Sequence, residues 1–566
     1  MDDYKSSVGK SLLKILMFNM YSDSKTIYRE YVQNALDSIS SAVHQGILAK
    51  MKDGHIAISI LQSKRTIIIE DNGKGIPMVD VAPTLLNIAD SNKDGITTAG
   101  QFGIGRLVGA GYCRKLIFET SALHEVKKSI IEIDVNLVDD MLRDAEIQLS
   151  ANEVMDTVSS LSTQDEDAEA HYFRVILSGI KDSYSELLDE DKVVDYLQEV
   201  APIDFGLAFK NRFISSLSEG DKHYFDAIPH VRISVNQKTD IRKRYGLKVE
   251  GTGDTIEGLE VFTIDDPEFG SLAWGWFAVT KYSIQIPVSD TNRGIRLRKH
   301  NIQIGNSKVL TDLFKEPRGN YYFYGEVHIT NNELEPDSGR SGLAPSVESD
   351  RLKALLSKYF IDLSTLYTLA NKAKNAVKVI SDLSQKVDKP GYGEEDKDTF
   401  LNNLEAKRSE FDKIEKKAET DQCVSKVIKL YKESLEEIAP PKYKRPEEQE
   451  SSPKGGDKHP SQTSNPSEQE KKNSIPAQES SGDGQPSQSE NNHPTTDVGN
   501  NPLLGGTPPP TPVIKDIFAP LKGVLSDKEA FVVRRVFKSL SDNCPSQNKK
   551  LIEELKVMVI KDLTRN

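Results

Sequence analysis

The sequence has few cysteines, no long hydrophobic run and no excess of basic residues. Its three cysteines lie far apart among 566 residues and form no CxxC pair, which argues against a disulfide framework or a zinc site. The apolar stretch LLKILMF near the start is short and contains Lys14, so neither a signal peptide nor a membrane span is expected. A formal net charge of -13 argues against a surface that coats nucleic acid. These absences predict a cytoplasmic, multidomain protein with no membrane partner.

Residues 26–37, TIYREYVQNALD, carry the strongest functional pattern. Apolar side chains recur at steps of four and predict a helix that packs against a core: Ile27, Tyr31, Ala35 and Ile39. Glu30, Asn34 and Asp37 share another stripe of this helix, because positions i, i+4 and i+7 lie on one face. A carboxylate and an amide one turn apart can hold a hard cation together with a water molecule.

Two glycine-containing turns follow this helix. DNGKGI, residues 71–76, follows a predicted strand, residues 66–70, and its glycines indicate a tight turn that another group can approach closely. GQFGIG, residues 100–105, precedes a predicted helix from Arg106, where free backbone N–H groups attract phosphate. It matches neither the Walker nor the Rossmann pattern. Alone, the first turn also fits an ordinary hairpin, but the three motifs in this order predict a nucleotide site.

This order of motifs resembles the ATP site of the GHKL (Bergerat-fold) ATPases. Residues 12–39 in particular are similar to the opening of the heat-shock protein 90 ATPase domain. The resemblance covers roughly residues 10–350. It implies an α+β fold: a Bergerat ATPase α/β sandwich, with helices on one face of a mixed, largely antiparallel sheet, followed by an α/β transducer-like middle domain.

The resemblance also implies roles for matching residues. Glu30 would be the general base for the attacking water, and Asn34 would ligate Mg²⁺. Asp71 would accept a hydrogen bond from the adenine amine, whereas Asp37 would support the helix. The cofactors would be ATP and Mg²⁺, and the remaining nucleotide-binding residues would be Gly73, Gly75, Ile76, Lys93, Gly100, Gln101, Phe102, Gly103, Ile104 and Gly105.

Three positions leave alternatives open. Lys93 belongs to a small polar run that predicts a mobile lid, and its side chain could reach a phosphate or stay solvated. Relatives usually carry Gly-Thr before strand 173–177, where this chain has Tyr172-Phe173, which puts adenine selectivity in question. ELEPDSGR, residues 333–340, resembles the loop that sends an arginine to the ATP γ-phosphate, so Arg340 is either a catalytic arginine or a surface salt-bridge residue.

Two charged stretches are harder to interpret. Residues 132–170 are acidic and predict an insertion with a helical part and an exposed loop. Residues 295–304 predict one strand, and the basic side chains in and beside it are either functional or on a solvated face: Arg293, Arg296, Arg298, Lys299 and His300.

Composition and periodicity divide the chain further. We expect an ATPase domain at 1–205, the middle domain at 206–350 and a helical hairpin or coiled coil at 351–440, where apolar residues alternate at steps of four and three. Plain packing of these helices onto the middle domain is the alternative. Residues 441–512 predict a disordered linker, and 513–566 a small C-terminal helical module suited to self-association or partner docking.

The leading functional hypothesis is a slow, ATP-gated clamp, a chaperone-like remodeller of protein clients that pairs as a nucleotide-dependent homodimer. The alternative is a GHKL switch in a nucleic-acid-associated or defence/signalling complex, MutL-like or MORC-like, which the acidic composition mildly disfavours. A histidine kinase is less favoured because no His-bearing dimerisation helix precedes the site. Intact Glu30 and Asn34 argue against a binding module with a dead site.

Overall fold

The computed structural model of the chain describes residues 9–18, 23–86, 105–144 and 149–445, which all fall in one compact unit, Met1–Gly456. The expected lid with Lys93, the first five residues of GQFGIG, nearly all of the expected linker and the whole C-terminal module lie outside the described residues. Within the described ranges, no helix is both long enough and apolar enough to cross a membrane.

The described helices and strands form a first α+β region, which contains the seven-stranded sheet, a second α+β region, which contains the five-stranded sheet, and a final run of helices. The helices are α1 Ser11–Phe18, α2 Thr26–His44, α3 Val81–Leu86, α4 Val135–Arg143, α5 Ala151–Val158, α6 Glu190–Val200, α7 Leu207–Arg212, α8 Glu219–Asp226, α9 Val347–Asp388, α10 Glu394–Ala418 and α11 Gln422–Glu436. The strands are β1 His55–Leu61, β2 Thr66–Asp71, β3 Lys115–Ser121, β4 Lys127–Asp134, β5 Ser159–Asp165, β6 Tyr172–Ser178, β7 Arg232–Val235, β8 Gly258–Asp266, β9 Gly270–Val279, β10 Gly294–Lys299, β11 Ile302–Ile304 and β12 Tyr324–Ile329.

The first sheet has seven strands in the order β5-β4-β3-β6-β2-β1-β7. All neighbours are antiparallel except β1 and β7, which run parallel. The apolar stripe of α2 is buried in one core with the inward-facing residues of the central strands. This mixed, largely antiparallel sheet with its covering helices confirms the predicted α+β class.

The acidic stretch 132–170 is more regular than expected. It begins inside β4, where Ile131 and Ile133 are buried, and continues through α4 and α5 to the edge strand β5. Ser150 and Glu153 form a capping box that starts α5. The expectation of a helical part was correct, but the expected exposed loop is largely strand, because β5 pairs with β4 along its whole length.

The second sheet has five strands in the order β11-β10-β12-β9-β8. Alternate residues of its strands face two different cores. One core contains Phe277 and the first half of α9, and the other is an aromatic cluster around Trp276. Both tryptophans of the chain lie on β9, and the Trp274 ring stacks on His328 of β12 with ring centroids 4.6 Å apart.

The prediction of a single strand over residues 295–304 is wrong. The chain forms a hairpin of β10 and β11, and His300 and Asn301 at its turn have left-handed backbone with φ of 50° and 64°. The sequence hides this turn because neither residue is glycine. Arg296, Arg298 and Lys299 are buried rather than on a solvated face.

Glu326 on β12 is the centre of a buried charged cluster, which we call the Glu326 hub. Its carboxylate accepts hydrogen bonds from Lys243 Nζ at 2.8 and 2.9 Å, Arg298 Nε at 2.6 Å, His328 Nε2 at 3.0 Å and Tyr245 Oη at 3.2 Å. Arg298 Nη2 also donates to the Glu199 carbonyl on α6 at 2.8 Å. The hub therefore connects the second sheet to the C-terminal end of α6.

The helices α9, α10 and α11 combine the two arrangements expected for residues 351–440. α9 and α10 are joined across the short break at residues 389–393, and both pack against the second sheet's core together with α11. Tyr431 Oη of α11 donates to the Lys281 carbonyl at 2.7 Å. The hairpin thus continues into a third helix that packs back on the sheet region.

Candidate functional site

The three polar residues of the α2 stripe lie in different surroundings. Glu30 and Asp37 are buried, whereas Asn34 between them is half-buried. The Asn34 side chain has no hydrogen-bond partner among the residues that the structure describes. The helix begins without a side-chain cap at Lys25; instead the N–H groups of Thr26 and Ile27 donate to the carbonyls of Asp23 and Ser24 at 3.1 and 3.3 Å.

Glu30 lies next to two distant parts of the chain and to the arginine that precedes it on α2. Its Oε1 accepts a hydrogen bond from Arg340 Nε at 2.8 Å, and Arg29 Nε lies 3.9 Å from the same oxygen. A Cβ built on Gly105 would lie 2.9 Å from Glu30 Oε2, so only glycine fits there without a shift of the carboxylate. The last glycine of GQFGIG, the predicted base and the predicted catalytic arginine are thus brought together.

Arg340 is presented by a tight loop after β12. Its backbone is left-handed with φ of 55°, and its N–H donates to the Asp337 carbonyl at 2.9 Å. Ser341 donates to the Asp337 carboxylate through its N–H at 2.8 Å and its hydroxyl at 2.7 Å. Gly305, just after β11, donates its N–H to the Arg340 carbonyl at 2.8 Å. The loop is therefore preorganised, and the side chain it presents is mostly buried rather than on the surface.

Asp71, at the end of β2, is a buried carboxylate with few donors. Burial raises its pKa to about 7, although the neighbouring Ser38 hydroxyl and the Gly73 N–H act in the opposite direction. Gly73 N lies 2.9 Å from Asp71 Oδ1. A buried carboxyl with spare acceptor capacity suits recognition of an amine, because an unmatched ligand would leave it unpaired.

The turn after Asp71 is fastened to the neighbouring strands. Ile76 N donates to Thr120 Oγ1 at 2.8 Å, and that hydroxyl donates to the Tyr172 carbonyl at 2.9 Å. The ring nitrogen Nδ1 of His171 lies 2.8 Å from the Gly73 carbonyl. Gly75 has φ of 66°, and a Cβ there would meet the Ser121 carbonyl at 1.9 Å. Only glycine fits at position 75, because the two backbones approach each other so closely.

Phe173 lies at the position where the family resemblance implies a threonine. It pairs with Asp71 across β2 and β6, and its ring stacks on Phe118 with centroids 5.8 Å apart. Beside Asp71 the site therefore has the aromatic ring that the sequence shows at this position, in place of the hydroxyl that the resemblance implies. Thr120, the nearest threonine in the sheet register, already uses its hydroxyl within the fold.

The segment that begins at the last glycine of GQFGIG is helical, but with a tighter winding than predicted. Gly105–Gly111 forms a 3₁₀ helix rather than the expected helix from Arg106. Tyr31 of α2 holds this segment, because its hydroxyl donates to the Arg106 carbonyl at 2.9 Å and accepts from Gly109 N at 3.1 Å. Gly100, Gln101, Phe102, Gly103 and Ile104 lie outside the described residues, so their predicted contacts with phosphate stay predictions.

The donor set of α2 fits a magnesium ion that also binds phosphates. In the described residues, no group of three or more His, Cys, Asp or Glu side chains could hold a metal by itself. Asn34 offers a single hard oxygen on the open part of the stripe, which suits Mg²⁺ because that ion takes most of its ligands from phosphates and water.

Several residues at the site were not anticipated from the sequence. Ser38 lies one turn beyond Asn34 and beside Asp71, so helical spacing could have identified it. Arg29 is buried next to Glu30, and an arginine adjacent to a candidate base was also visible. Thr120 and His171 could not be found this way, because only the pairing of β3 and β6 places them at the turn.

Comparison with known proteins gives matches over this part of the chain. Residues 21–167 match the family model described as histidine kinase-, DNA gyrase B-, and HSP90-like ATPase. The Chaperone protein HtpG of Rhizobium meliloti (strain 1021) is 29% identical over 120 residues, covering 18% of this chain and 19% of that protein. The HtpG of Fusobacterium nucleatum subsp. nucleatum is 29% identical over 130 residues, covering 20% and 21%.

The HtpG of Buchnera aphidicola subsp. Schizaphis graminum is 32% identical over 114 residues, covering 17% of this chain and 18% of that protein. The chain thus spans about a fifth of the length of the curated relatives it matches. These matches confirm, for this part of the chain, the resemblance inferred from the three motifs.

Proposed function

We propose that this chain, whose N-terminal region is a GHKL-type, heat-shock-protein-90-like ATPase domain, hydrolyses ATP slowly and works as a nucleotide-gated clamp on protein partners. The observation that carries the proposal is the contact between Glu30 of α2 and Arg340 of the second region, 2.8 Å apart. It joins a residue suited to activating water with one suited to binding the transferred phosphoryl group.

In this proposal each residue of the site has one task. Asp71 accepts a hydrogen bond from the adenine amine, and Asn34 would hold Mg²⁺, which would supply positive charge to offset that of the phosphates. Glu30 accepts a proton from the attacking water or orients it. Gly105 keeps backbone close to the Glu30 carboxylate, so that the water would be held between acid and phosphate.

Arg340 exchanges partners during the cycle that we propose. Without nucleotide it neutralises Glu30, which then lacks a free carboxylate to act on water. When ATP binds, the γ-phosphate competes for the guanidinium with a larger negative charge, and Glu30 is released for catalysis. Arginine binding at closure stabilises the charge that develops on the transferred group. Hydrolysis therefore depends on contact between the two regions.

The test is ATP turnover by the full chain and its variants, with nucleotide binding measured in parallel. Glu30→Gln keeps the size of the side chain and should lower the turnover rate by about 10²- to 10⁴-fold while ATP still binds. Arg340→Met should lower the rate by about 10²- to 10³-fold. Equal turnover by the wild type and Glu30→Gln would remove Glu30 from the role of base.

The chaperone-like role is separated from a MutL-like or MORC-like role by two further measurements. Suppression of aggregation of an unfolded client, made stronger by ATP, is the outcome we expect. ATP-dependent DNA binding at a stated salt concentration, without any effect on the client, would favour the nucleic-acid switch. The mass of the particle with and without a non-hydrolysable ATP analogue tests the nucleotide-dependent homodimer.

A further inference from the structure

Gln303 is the middle residue of β11, and its side chain joins two parts of the molecule. The residue is 1% exposed, and its amide nitrogen Nε2 donates to Glu199 Oε1 and to the Gly305 carbonyl, both at 3.2 Å. Both neighbours are acceptors, so they fix which end of the amide faces them and use both of its protons. A buried amide destabilises a protein unless it is paired, and here the pairing connects α6 to the turn after β11.

Glu199, near the C-terminal end of α6, accepts hydrogen bonds from three side chains of the β10–β11 hairpin. Besides Gln303, Arg296 Nη1 donates to its Oε1 at 2.8 Å, and Arg298 Nη2 donates to its carbonyl at 2.8 Å. The three donor residues are buried, so these hydrogen bonds are largely shielded from water. The hairpin of the second sheet is therefore fastened to α6 at this residue.

α6 has a fixed position relative to α2, the helix that carries Glu30. Val193 and Leu197 of α6 are fully buried in the same core as Ile27 and Tyr31 of α2. A close-packed core allows little displacement of one helix against another. A hydrogen bond to the end of α6 therefore also fixes the hairpin relative to α2.

Gly305, the other acceptor of the Gln303 amide, lies directly against the Arg340 loop. Its N–H donates to the Arg340 carbonyl at 2.8 Å. Its φ is 64°, and a Cβ there would lie 2.7 Å from the Ser341 carbonyl oxygen. The side chain of Arg340 in turn donates to Glu30 at 2.8 Å. Hydrogen bonds thus run without a gap from α6 through the Gln303 amide to Arg340 and back to α2.

We propose that Glu199 and Gln303 are positioning residues for ATP turnover. The hydrogen bonds from Glu199 through the Gln303 amide to Gly305, which we call the Glu199–Gln303 bridge, hold the Arg340 loop where its guanidinium reaches the γ-phosphate. This inference rests on the proposed function. Both residues act through the loop, and neither touches nucleotide.

The first test is Gln303→Met, which keeps the length of the side chain and removes its amide. We expect kcat of the full chain to fall about tenfold, the contribution of one good hydrogen bond. The Kd for ATP should change less than twofold, because the bridge lies outside the nucleotide contacts. An unchanged kcat, or a Kd that rises as much as kcat falls, would overturn the proposal.

Variants of Glu199 test the other end of the bridge. Glu199→Gln keeps the acceptor oxygen and should lower kcat by about threefold at most, whereas Glu199→Leu should lower it about tenfold. An equal loss in both would overturn the bridge, because the charge rather than the hydrogen bond would then matter. Asp195→Asn is the matched control, since Asp195 also lies on α6 and pairs with Arg244, but at the surface. It should leave kcat unchanged.

A double-variant cycle shows whether the bridge acts through Arg340. If it does, Gln303→Met should lower kcat by less than about twofold further once Arg340→Met is present. A further tenfold loss in the double variant would overturn the proposal, because the amide would then support turnover by another route, such as general stability.

A readout without hydrolysis separates this proposal from the proposed function. In the nucleotide-free protein, the N–H groups of Gly305, Arg340 and Ser341 should exchange with solvent about tenfold faster in Gln303→Met than in the wild type. Asp195→Asn should exchange there like the wild type. Equal exchange in Gln303→Met and the wild type would contradict the positioning role. Failure of the proposed function would instead appear as wild-type turnover equal to that of Glu30→Gln, with the difference in exchange still present.

Discussion

Asp71 in the first sheet and Glu326 in the second are both buried carboxyl groups, yet their surroundings push them in opposite directions. Burial raises the pKa of Asp71 to about 7, and among the described residues the donor to its carboxylate is the Gly73 N–H. Burial also acts on Glu326, but Arg298, Lys243 and His328 outweigh it and hold its pKa well below the usual range. The carboxyl group of Asp71 thus has few partners within the protein and suits the ligand role proposed for it, whereas that of Glu326 is fully paired inside the fold.

The same contrast extends to the other buried polar groups. The Glu326 hub has four side-chain donors around one carboxylate, so its charges are compensated inside the protein. On α2, Gln33 and the Nε atom of Arg29 are buried without hydrogen bonds. A fully paired network is rigid, and a partly paired one is stabilised further by whatever supplies the missing partners. The fully paired Glu326 hub thus supports the fold, whereas the unpaired buried groups lie on α2, the helix that carries Glu30 and Asn34.

The largest expected effect is on the free energy of unfolding when the Glu326 hub is changed. Glu326→Gln leaves Lys243 and Arg298 buried without a counter-charge, which should lower the free energy of unfolding by about 3–5 kcal/mol. Urea unfolding followed by circular dichroism measures it. The triple variant Glu326→Met, Lys243→Met, Arg298→Met removes all three charges and should recover part of the loss. A loss below about 1 kcal/mol in Glu326→Gln would show that the hub is not needed for stability.

Asp71→Asn should raise, rather than lower, the free energy of unfolding of the nucleotide-free protein. Since the pKa of Asp71 is raised from 3.8 to about 7, the folded wild type holds a proton that the unfolded chain releases between these values. The stability of the wild type therefore falls relative to Asp71→Asn as the pH rises through this window, and the gap stays constant above about pH 7. Urea midpoints measured across the window check this, and a gap that does not vary with pH would contradict it.

Nucleotide binding gives the second half of the Asp71 prediction. In the proposed site the adenine amine donates to the ionised carboxylate of Asp71, so wild-type affinity for ATP should fall below pH 7, by up to about tenfold per pH unit. Asp71→Asn cannot titrate there and isolates the contribution of the ATP phosphates. Calorimetric titration of both proteins at matched pH separates the two effects.

Phe173→Thr tests base selectivity, with a smaller expected effect. Restoring a hydroxyl beside Asp71 should raise the preference for ATP over GTP by up to about tenfold, the contribution of one good hydrogen bond. Competition binding of the two nucleotides measures the ratio. An unchanged ratio would mean that Asp71 alone selects the base.

The smallest effect on the free energy of unfolding is expected for an ion pair at the surface. Lys426 of α11 and Glu260 of β8 form an ion pair at 2.5 Å in which the lysine is half exposed. Glu260→Gln should change the free energy of unfolding by less than about 1 kcal/mol. This variant is the control for the hub, since it also removes one carboxylate from the second sheet. A loss as large as that of Glu326→Gln would contradict the contrast between buried and exposed charge.

How much the sequence reveals differs between the two regions. On α2 the spacing of Ile27, Tyr31 and Ala35 predicts both the helix and its buried face, and the structure has them so. Local periodicity suffices there because the stripe of Glu30 and Asn34 lies on one element. The predicted roles of these side chains and the predicted domain boundaries stay predictions.

The second region depends on residues that are distant in sequence. Lys243, Arg298 and His328 meet at Glu326 only because the second sheet brings them together, and no spacing rule connects them. The β10–β11 turn was missed because His300 and Asn301 adopt positive φ without glycine. Arg340 was found only through resemblance, and its contact with Glu30 spans 310 positions of the chain.

Trp274 and Trp276 on β9 are the only tryptophans of the whole chain, and the first region has none. Tryptophan fluorescence therefore reports on the second region, on the Arg340 side of the Glu30–Arg340 contact, and not on the first. The Trp274 ring lies nearly parallel to the His328 imidazole. If ATP binds in the first region as proposed, a change in the tryptophan fluorescence of the unlabelled protein would report a change in the second sheet.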